Sequence, residues 1–441
     1  VEAAGNWIPL LDIQYHVAVD GLSAPLILLT GLLGLAAMFS SWRIVERPRE
    51  YFASLLVLQA AVMGVFAAQD FILFFIFWEL ELVPMYLLIS LWGSGRKEHS
   101  AMKFVIFTFL GSAFMFVGIL ALYFSAGVGT FDMTRLLNEN LSNLLIPTQM
   151  VFALFFIAFA VKLPIWPLHS WLPDAHTDAP TAVSVMLAGV LLKMAGYGLF
   201  RINLGFFQET KGFTIFDASH FLAILGTISI IYGAIVTLRQ TDLKRLIAYS
   251  SISHMGYVLL GFSAIGNGIN FSIAALNGSA LQMFTHGTIT GLSFLTVGLI
   301  YDRTHTRDIN KLGSLTNKMP IIAVFFMISG LASLGLPGLS GFVSEIIIFM
   351  GTFKIFPIYT IISAFGVVLA AGYILWMIQR SLFGKNKLLN KDQTYKYEEL
   401  SDGTLLDLLP AFILTIPIFL IGIWPRFFLS LFDLGIKEII K

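Results

Sequence analysis

The sequence predicts an all-α protein, a polytopic bundle of membrane-spanning helices in which two helices are broken, and three observations carry that expectation. Hydrophobic residues make up 57% of the 441 positions and charged residues only 12%, with a mean hydropathy of +0.84, far outside the composition of water-soluble domains. The apolar residues run without alternation for about twenty positions at a time, which suits helices and disfavours a β-barrel. The few Lys and Arg residues gather in alternate connections, as the positive-inside rule requires of a multi-span chain.

Taken in order, the apolar stretches lie near 22–41, 52–68, 71–91, 104–125, 150–168, 182–204, 221–238, 246–265, 271–301, 321–350, 358–382 and 408–424, which makes about twelve spans. Arg43, Arg47 and Arg49 follow the first, Arg96 and Lys97 the third, and Arg239, Lys244 and Arg245 the seventh. Arg303, Arg307, Lys311 and Lys318 follow the ninth, and Arg380, Lys385, Lys387 and Lys391 the eleventh. The even connections hold fewer: Arg135 beside Asp132 and Glu139, then Lys211, then Lys354. Odd connections are therefore expected on the cytoplasmic or equivalent side, with both ends of the chain on the other; the fifth is an exception, with Asp174 and Asp178 but no Lys or Arg, and its orientation follows from its neighbours. The polar stretch 385–402 reads as a loop, and the whole of 1–441 as one membrane domain. Val1 has no charged leader before it, so an upstream portion is expected.

The fifth stretch carries Pro164 and Pro167 just after Lys162, and the tenth carries Gly335-Leu336-Pro337-Gly338-Leu339-Ser340-Gly341 just before Glu345. Proline frees backbone carbonyls that only protein or a hydrated cavity can satisfy at membrane depth. Breaks at corresponding places in two halves point to inverted repeats, here near 51–204 and 219–383, with a terminal helix at 405–430. Six ionisable groups fall inside apolar stretches: Glu79, Lys162, Lys193, His254, His286 and Glu345. A charge at such depth costs about 2.5–3.5 kcal/mol even on lenient insertion scales, so it needs a partner, water or a task. Strung over successive helices, such groups can hand a proton along when water fills the gaps. Desolvation lowers a lysine pKa and a nearby carboxylate raises it, so a switchable Glu79–Lys162 pair could hold and release a proton.

Simpler readings stand beside these. Each histidine taken singly suits a helix-to-helix hydrogen bond, and Glu79 with Lys162 suits a purely structural ion pair. Glu81 reads as decoration at a helix or lipid interface. His169, Asp174, His176 and Asp178 lack a metal-ligand spacing and read as a polar cap on the broken helix. Lys244-Arg245 reads as interfacial anchoring, and the 335–341 glycines lack the strand–turn–helix setting of a phosphate loop. With no cysteine, the chain cannot itself ligate an iron–sulfur cluster through thiolates or form a disulfide.

Several segments resemble one family. They are Trp78-Glu79-Leu80-Glu81-Leu82-Val83-Pro84, Ala160-Val161-Lys162-Leu163-Pro164, Pro167-Leu168-His169-Ser170-Trp171-Leu172-Pro173-Asp174-Ala175-His176 and Leu187-Ala188-Gly189-Val190-Leu191-Leu192-Lys193. Leu243-Lys244-Arg245-Leu246-Ile247-Ala248-Tyr249-Ser250-Ser251-Ile252-Ser253-His254 and Leu336-Pro337-Gly338-Leu339-Ser340-Gly341-Phe342-Val343-Ser344-Glu345 extend the likeness. Together they resemble the antiporter-like membrane subunits of respiratory complex I and its photosynthetic relatives, nearest the branch of bacterial subunit M and the chain four of cyanobacteria and plastids. The resemblance implies about fourteen helices, two of them before Val1. It implies that Glu79 and Lys162 form the proton-coupling pair, that Lys193 is the central relay, that His254 and His286 connect it onward, and that Glu345 is the terminal proton site. Glu345, where other members carry lysine, is what points to this branch. The implied activity is proton pumping driven by electron transfer elsewhere in an NAD(P)H- or ferredoxin-dependent quinone oxidoreductase. The implied cofactors are none in this chain, with quinone, iron–sulfur clusters and, as a further candidate, FMN in partner subunits. The implied partners are other membrane-arm subunits, including homologous antiporter-like ones, and lipids, with no nucleic acid. A cyanobacterial thylakoid membrane is expected, a bacterial inner membrane being the alternative. Three rivals remain open: a subunit of a multisubunit Na⁺/H⁺ antiporter, a variant complex used for CO₂ uptake, and a non-transporting scaffold.

Overall fold

A computed structural model describes residues 2–127, 129–137, 145–208, 213–266, 270–384 and 400–440. After a short hairpin (β1 Glu2–Ile8, β2 Ile13–Ala18) the chain is almost wholly helical. The helices are α1 Ser23–Ser40, α2 Pro48–Ala67, α3 Phe71–Leu80, α4 Leu82–Trp92, α5 Lys97–Ala126, α6 Met133–Leu136, α7 Thr148–Lys162, α8 Trp171–Asp178, α9 Thr181–Met186 and α10 Leu192–Gly198. They continue with α11 Ile215–Thr237, α12 Leu243–Phe262, α13 Ile273–Thr304, α14 Pro320–Ser333, α15 Ser340–Phe353, α16 Pro357–Ile378, α17 Leu405–Ile423 and α18 Arg426–Ile440. A two-residue pairing, β3 Ile265–Gly266 with β4 Asn270–Phe271, joins α12 to α13.

All twelve predicted stretches are helical. Among the described residues, nine helices or helix runs are long and apolar enough to cross a membrane by length and composition. The other three are α12, diluted by Lys244, Arg245 and three serines, and the two broken ones. The fifth stretch ends its helix at Lys162 and resumes as α8, and the tenth divides into α14 and α15.

Local signals set many helix starts. Asp70 accepts from the Ile72 and Leu73 N–H groups, Asp242 from that of Arg245, and Ser272 from that of Ala275. Thr214 with Asp217 and Thr404 with Asp407 form capping boxes, while Pro48, Pro320 and Pro357 open their helices where the missing N–H costs nothing.

Two elements depart from the expectation. The terminal helix predicted at 405–430 is two helices, α17 and α18, because Pro425 cannot continue the first. The N-terminal hairpin carries no apolar run and was not foreseen; His16 ties it to the rest through Asp132 Oδ2 at 2.6 Å. The predicted loop charges Glu139, Lys211, Lys385, Lys387 and Lys391, with most of the 385–402 loop, lie outside the described residues.

Burial divides the helices into a centre and a ring. The run Thr181–Leu204 and helix α13 are buried along their whole spanning windows, whereas the other seven spans are 39–50% buried and turn apolar faces outward, with Phe109, Phe365 and Ile358 among the exposed residues. The two central helices carry Lys193 and His286.

Candidate functional site

The first group forms where two chain breaks meet. Pro84 has no N–H to offer the carbonyl four residues earlier, so the helical ladder slips at Glu81, between α3 and α4. On the facing helix, Lys162 is the last residue of α7 before Pro164. The carbonyls freed there are taken up by protein: Ile165 N–H donates to Ala160 O at 3.0 Å, and Trp171 Nε1–H donates to Val161 O at 2.9 Å. Lys162 Nζ donates to Glu81 Oε1, with 1% and 0% of the two residues exposed, and sits 4.2 Å from the centre of the Trp78 ring.

This corrects the expected pairing of Lys162 with Glu79. Residues two apart lie about 200° apart around a helix. Glu81 therefore faces α7, while Glu79 faces the Ser112 hydroxyl on α5 and meets Lys162 only through the longer-range field. Glu81, expected to be interface decoration, is the buried partner. Lys162 thus pairs with one carboxylate of an interrupted helix and feels the field of a second.

The second group is a connected row. The Thr181–Leu204 run carries π-helical turns at Leu187–Leu191 and Leu199–Leu204, on either side of α10. Lys193 Nζ donates to the carbonyl of Ala188, within the first of these turns. The same amine lies 2.8 Å from His286 Nδ1, within one proton transfer of it. The His286 and His254 rings follow at 5.5 Å between centroids. His254 Nε2 donates to Ser333 O at 3.0 Å and lies 3.7 Å from Glu345 Oε1. Ser333 is the last residue of α14, so its carbonyl is one that the helix break leaves without a helical donor.

The break also makes room for Glu345, which is 5% exposed. Gly335 has φ +80°, and a Cβ there would stand 2.9 Å from Glu345 Oε2. Ser344, beside Glu345, bonds to Gln282 and, at 3.0 Å, to the Thr285 hydroxyl, holding α15 against α13. A void about the size of one water lies among His254, His286, Ser333 and Glu345. Lys193, His286, His254 and Glu345 are therefore brought together, each within one donor–acceptor step or one water of the next.

The expected polar cap at 169–178 separates into different roles. His169 Nε2 meets Tyr232 Oη at 3.2 Å, Asp174 pairs with Lys103 at 2.7 Å and Arg245 at 3.5 Å, and Asp178 accepts from Ser100 Oγ at 2.6 Å. His176 is no cap: it is fully buried and stacked on Phe294 at 4.5 Å. Lys244 is no interfacial anchor either. It is 4% exposed and donates to Ala179 O at 2.6 Å, while its neighbour Arg245 takes the outward position. No sequence signal separates the buried member of a Lys-Arg pair from the exposed one, since that choice depends on how the helix is rotated.

Residues 68–371 match the family described as NADH:quinone oxidoreductase/Mrp antiporter, TM. The chain belongs to this family. It is 43% identical, over 99% of its length and 80% of the relative's, to NAD(P)H-quinone oxidoreductase chain 4 2 of Thermosynechococcus vestitus. It is 42% identical to F(420)H(2) dehydrogenase subunit M of Methanosarcina mazei, over 86% of this chain and 76% of that one. Among solved structures, a chain of respiratory complex I from Thermus thermophilus with bound NADH superposes with a TM-score of 0.86 at 26% identity, covering 100% of this chain and 89% of the other. A chain of the Mrp complex from Dietzia sp. shares the fold, with a TM-score of 0.82 at 20% identity. The family, its spans and its composition make the protein an integral membrane protein.

Proposed function

We propose that this chain is a proton-pumping membrane-arm subunit of a quinone oxidoreductase of the complex I type. The observation that carries the reading is the buried row Lys193–His286–His254–Glu345, which starts on the two central helices and ends beside a carbonyl released by a helix break. Burial of so many ionisable groups gives no net stability that apolar packing would not match, which favours a transport task.

In this reading electron transfer takes place in other subunits, and this chain receives an electrostatic signal at the Lys162 pair. In the resting arrangement Glu81 holds the Lys162 proton. A shift of the amine toward Glu79, or away from both carboxylates, changes its proton affinity, and the change is felt at Lys193. Lys193 passes its proton through the two imidazoles to Glu345, each ring accepting on one nitrogen and releasing from the other. We take the two breaks, one in each of the stretches 51–204 and 219–383 read as inverted repeats, as marking the coupling pair and the terminal acid.

The relatives' names include different electron donors, so we assign the donor, iron–sulfur clusters, FMN where present, and quinone to partner subunits. We likewise place the protein beside other antiporter-like subunits in a cyanobacterial thylakoid membrane. The test is the assembled complex carrying Lys162→Ala, reconstituted in vesicles. Protons moved per electron should fall by this subunit's share, and an unchanged ratio refutes the assignment. A mass-spectrometric inventory of copurifying subunits separates the redox complex from a stand-alone Na⁺/H⁺ antiporter.

A further inference from the structure

The helix break after Lys162 leaves α8 without a continuous backbone ladder to α7, so side-chain ties set where α8 sits. Those ties gather at its first turn. Trp171 is fully buried; its Nε1–H donates to the carbonyl of Val161, the residue before Lys162, at 2.9 Å, and its ring packs 5.4 Å from that of Phe104 on α5. Lys103, also on α5, donates to Ser170 O at 2.8 Å and to Asp174 Oδ2 at 2.7 Å. Arg245, on α12, stands 3.5 Å from Asp174 Oδ1. One carboxylate thus divides its two oxygens between cations on two different helices.

Those two helices hold different parts of the candidate site. Nine residues beyond Lys103, α5 places the Ser112 hydroxyl against Glu79. Nine residues beyond Arg245, α12 places His254 between His286 and Glu345. Trp171 and Asp174 are three residues apart and share a face of α8, so a displacement of the Val161 carbonyl carries both. The two contacts of Asp174 are unequal, closed toward Lys103 and open toward Arg245. With 24% of the Lys103 side chain and 40% of that of Arg245 exposed, such pairs add little to stability, so holding the fold does not account for two cations on one carboxylate.

We propose that Asp174 is a positioning residue that links the Lys162 pair to the row, by dividing its carboxylate between Lys103 on α5 and Arg245 on α12. While Glu81 holds Lys162, Asp174 rests on Lys103. When the lysine leaves Glu81, the end of α7 moves the Val161 carbonyl, Trp171 follows its hydrogen bond, and α8 carries Asp174 toward Arg245. The stronger pull on Arg245 displaces α12 and changes the spacing of His254 from its neighbours. The 5.5 Å between the two imidazole centroids and the 3.7 Å from His254 Nε2 to Glu345 Oε1 are separations that a small displacement brings to hydrogen-bond distance or takes further from it. Asp174 itself neither gains nor loses a proton in this role.

The inference rests on the proposed pumping role and is tested with it in one experiment. The assembled complex is reconstituted in vesicles with Lys162→Ala, Asp174→Asn, Asp174→Glu, Arg245→Gln or the Lys162→Ala/Asp174→Asn pair, and protons translocated per electron are measured. Asp174→Asn keeps the volume and an acceptor for Lys103 but removes the charge, so a purely structural aspartate would leave the ratio complete in every complex that assembles. The expected result is that Asp174→Asn and Arg245→Gln each lower the ratio by the decrement that Lys162→Ala produces. The paired variant should lose no more than either single one, and Asp174→Glu should recover most of the loss. A complete ratio in Asp174→Asn, with the decrement present in Lys162→Ala, overturns the link and leaves the pumping role standing, as does an Asp174→Glu complex no better than Asp174→Asn. A complete ratio in Lys162→Ala overturns both. If Asp174→Asn does not assemble, Arg245→Gln decides alone.

Discussion

Which carboxylate holds Lys162 at rest can be decided by a double-mutant cycle. The Lys162–Glu81 pair has 1% and 0% of its residues exposed, so neither charge can be rehydrated if its partner is removed. Removing one member of a buried pair costs about 3–5 kcal/mol, because the other is left charged and unpaired or must change its protonation state. Glu81→Gln alone and Lys162→Met alone should each destabilise on that scale. The double variant should cost less than the sum, with a coupling energy approaching about 3 kcal/mol, the upper end for residues in contact. Glu79 is not in contact with the amine and bonds toward Ser112, so the Glu79→Gln with Lys162→Met cycle should give less than about 1 kcal/mol. The assay is reversible unfolding in mixed detergent micelles at fixed pH and salt. A coupling energy larger for Glu79 than for Glu81 would refute the argument from helix geometry and return the resting pair to Glu79.

Other outcomes follow from the same geometry. His286→Leu removes the group that meets the Lys193 amine and cuts the row in the middle; proton translocation per electron should fall by this subunit's share while the chain still assembles, because leucine fills about the same volume. Gly335→Ala places a side chain at φ +80° and a methyl 2.9 Å from Glu345 Oε2, so it should cost about 1–2 kcal/mol of stability and slow pumping, read by thermal unfolding and vesicle acidification. At the hairpin, burial pushes the Asp132 carboxyl up, but hydrogen bonds from the Thr134 hydroxyl, the Arg135 N–H and His16 outweigh it and hold it below the usual carboxylate range. A lowered folded-state pKa gives stability that is present above about pH 4 and is lost as pH falls through the lowered value. Hydrogen exchange in β1 and β2 should therefore speed up only on strong acidification, and Asp132→Asn should speed it at neutral pH by the equivalent of about 1–3 kcal/mol.

The number of spans, their order, the two broken helices and the burial of Lys162, Lys193, His254, His286 and Glu345 were legible in the sequence, whereas Glu79 is only half-buried. An apolar run of about twenty residues has few alternatives in a bilayer, and a proline after a buried lysine marks where the backbone must part. Partner choice was not legible. Glu79 and Glu81 are equivalent in the text, and only the rotation of α3 against α7 gives Glu81 to Lys162. The same holds for Lys244 and Arg245, which share a helix end and differ in which face meets α8. His176 looked like a cap because it sits among polar residues, yet the turn into α9 folds it inward onto Phe294.

By itself the sequence determined that charge is stored across successive helices in an apolar slab, because composition and spacing are local properties of the chain. Only the tertiary structure decided which of those charges touch, since contact depends on helix rotation and on helix irregularities at Glu81, Ala188 and Ser333. Those breaks turn buried residues into neighbours within reach of a proton.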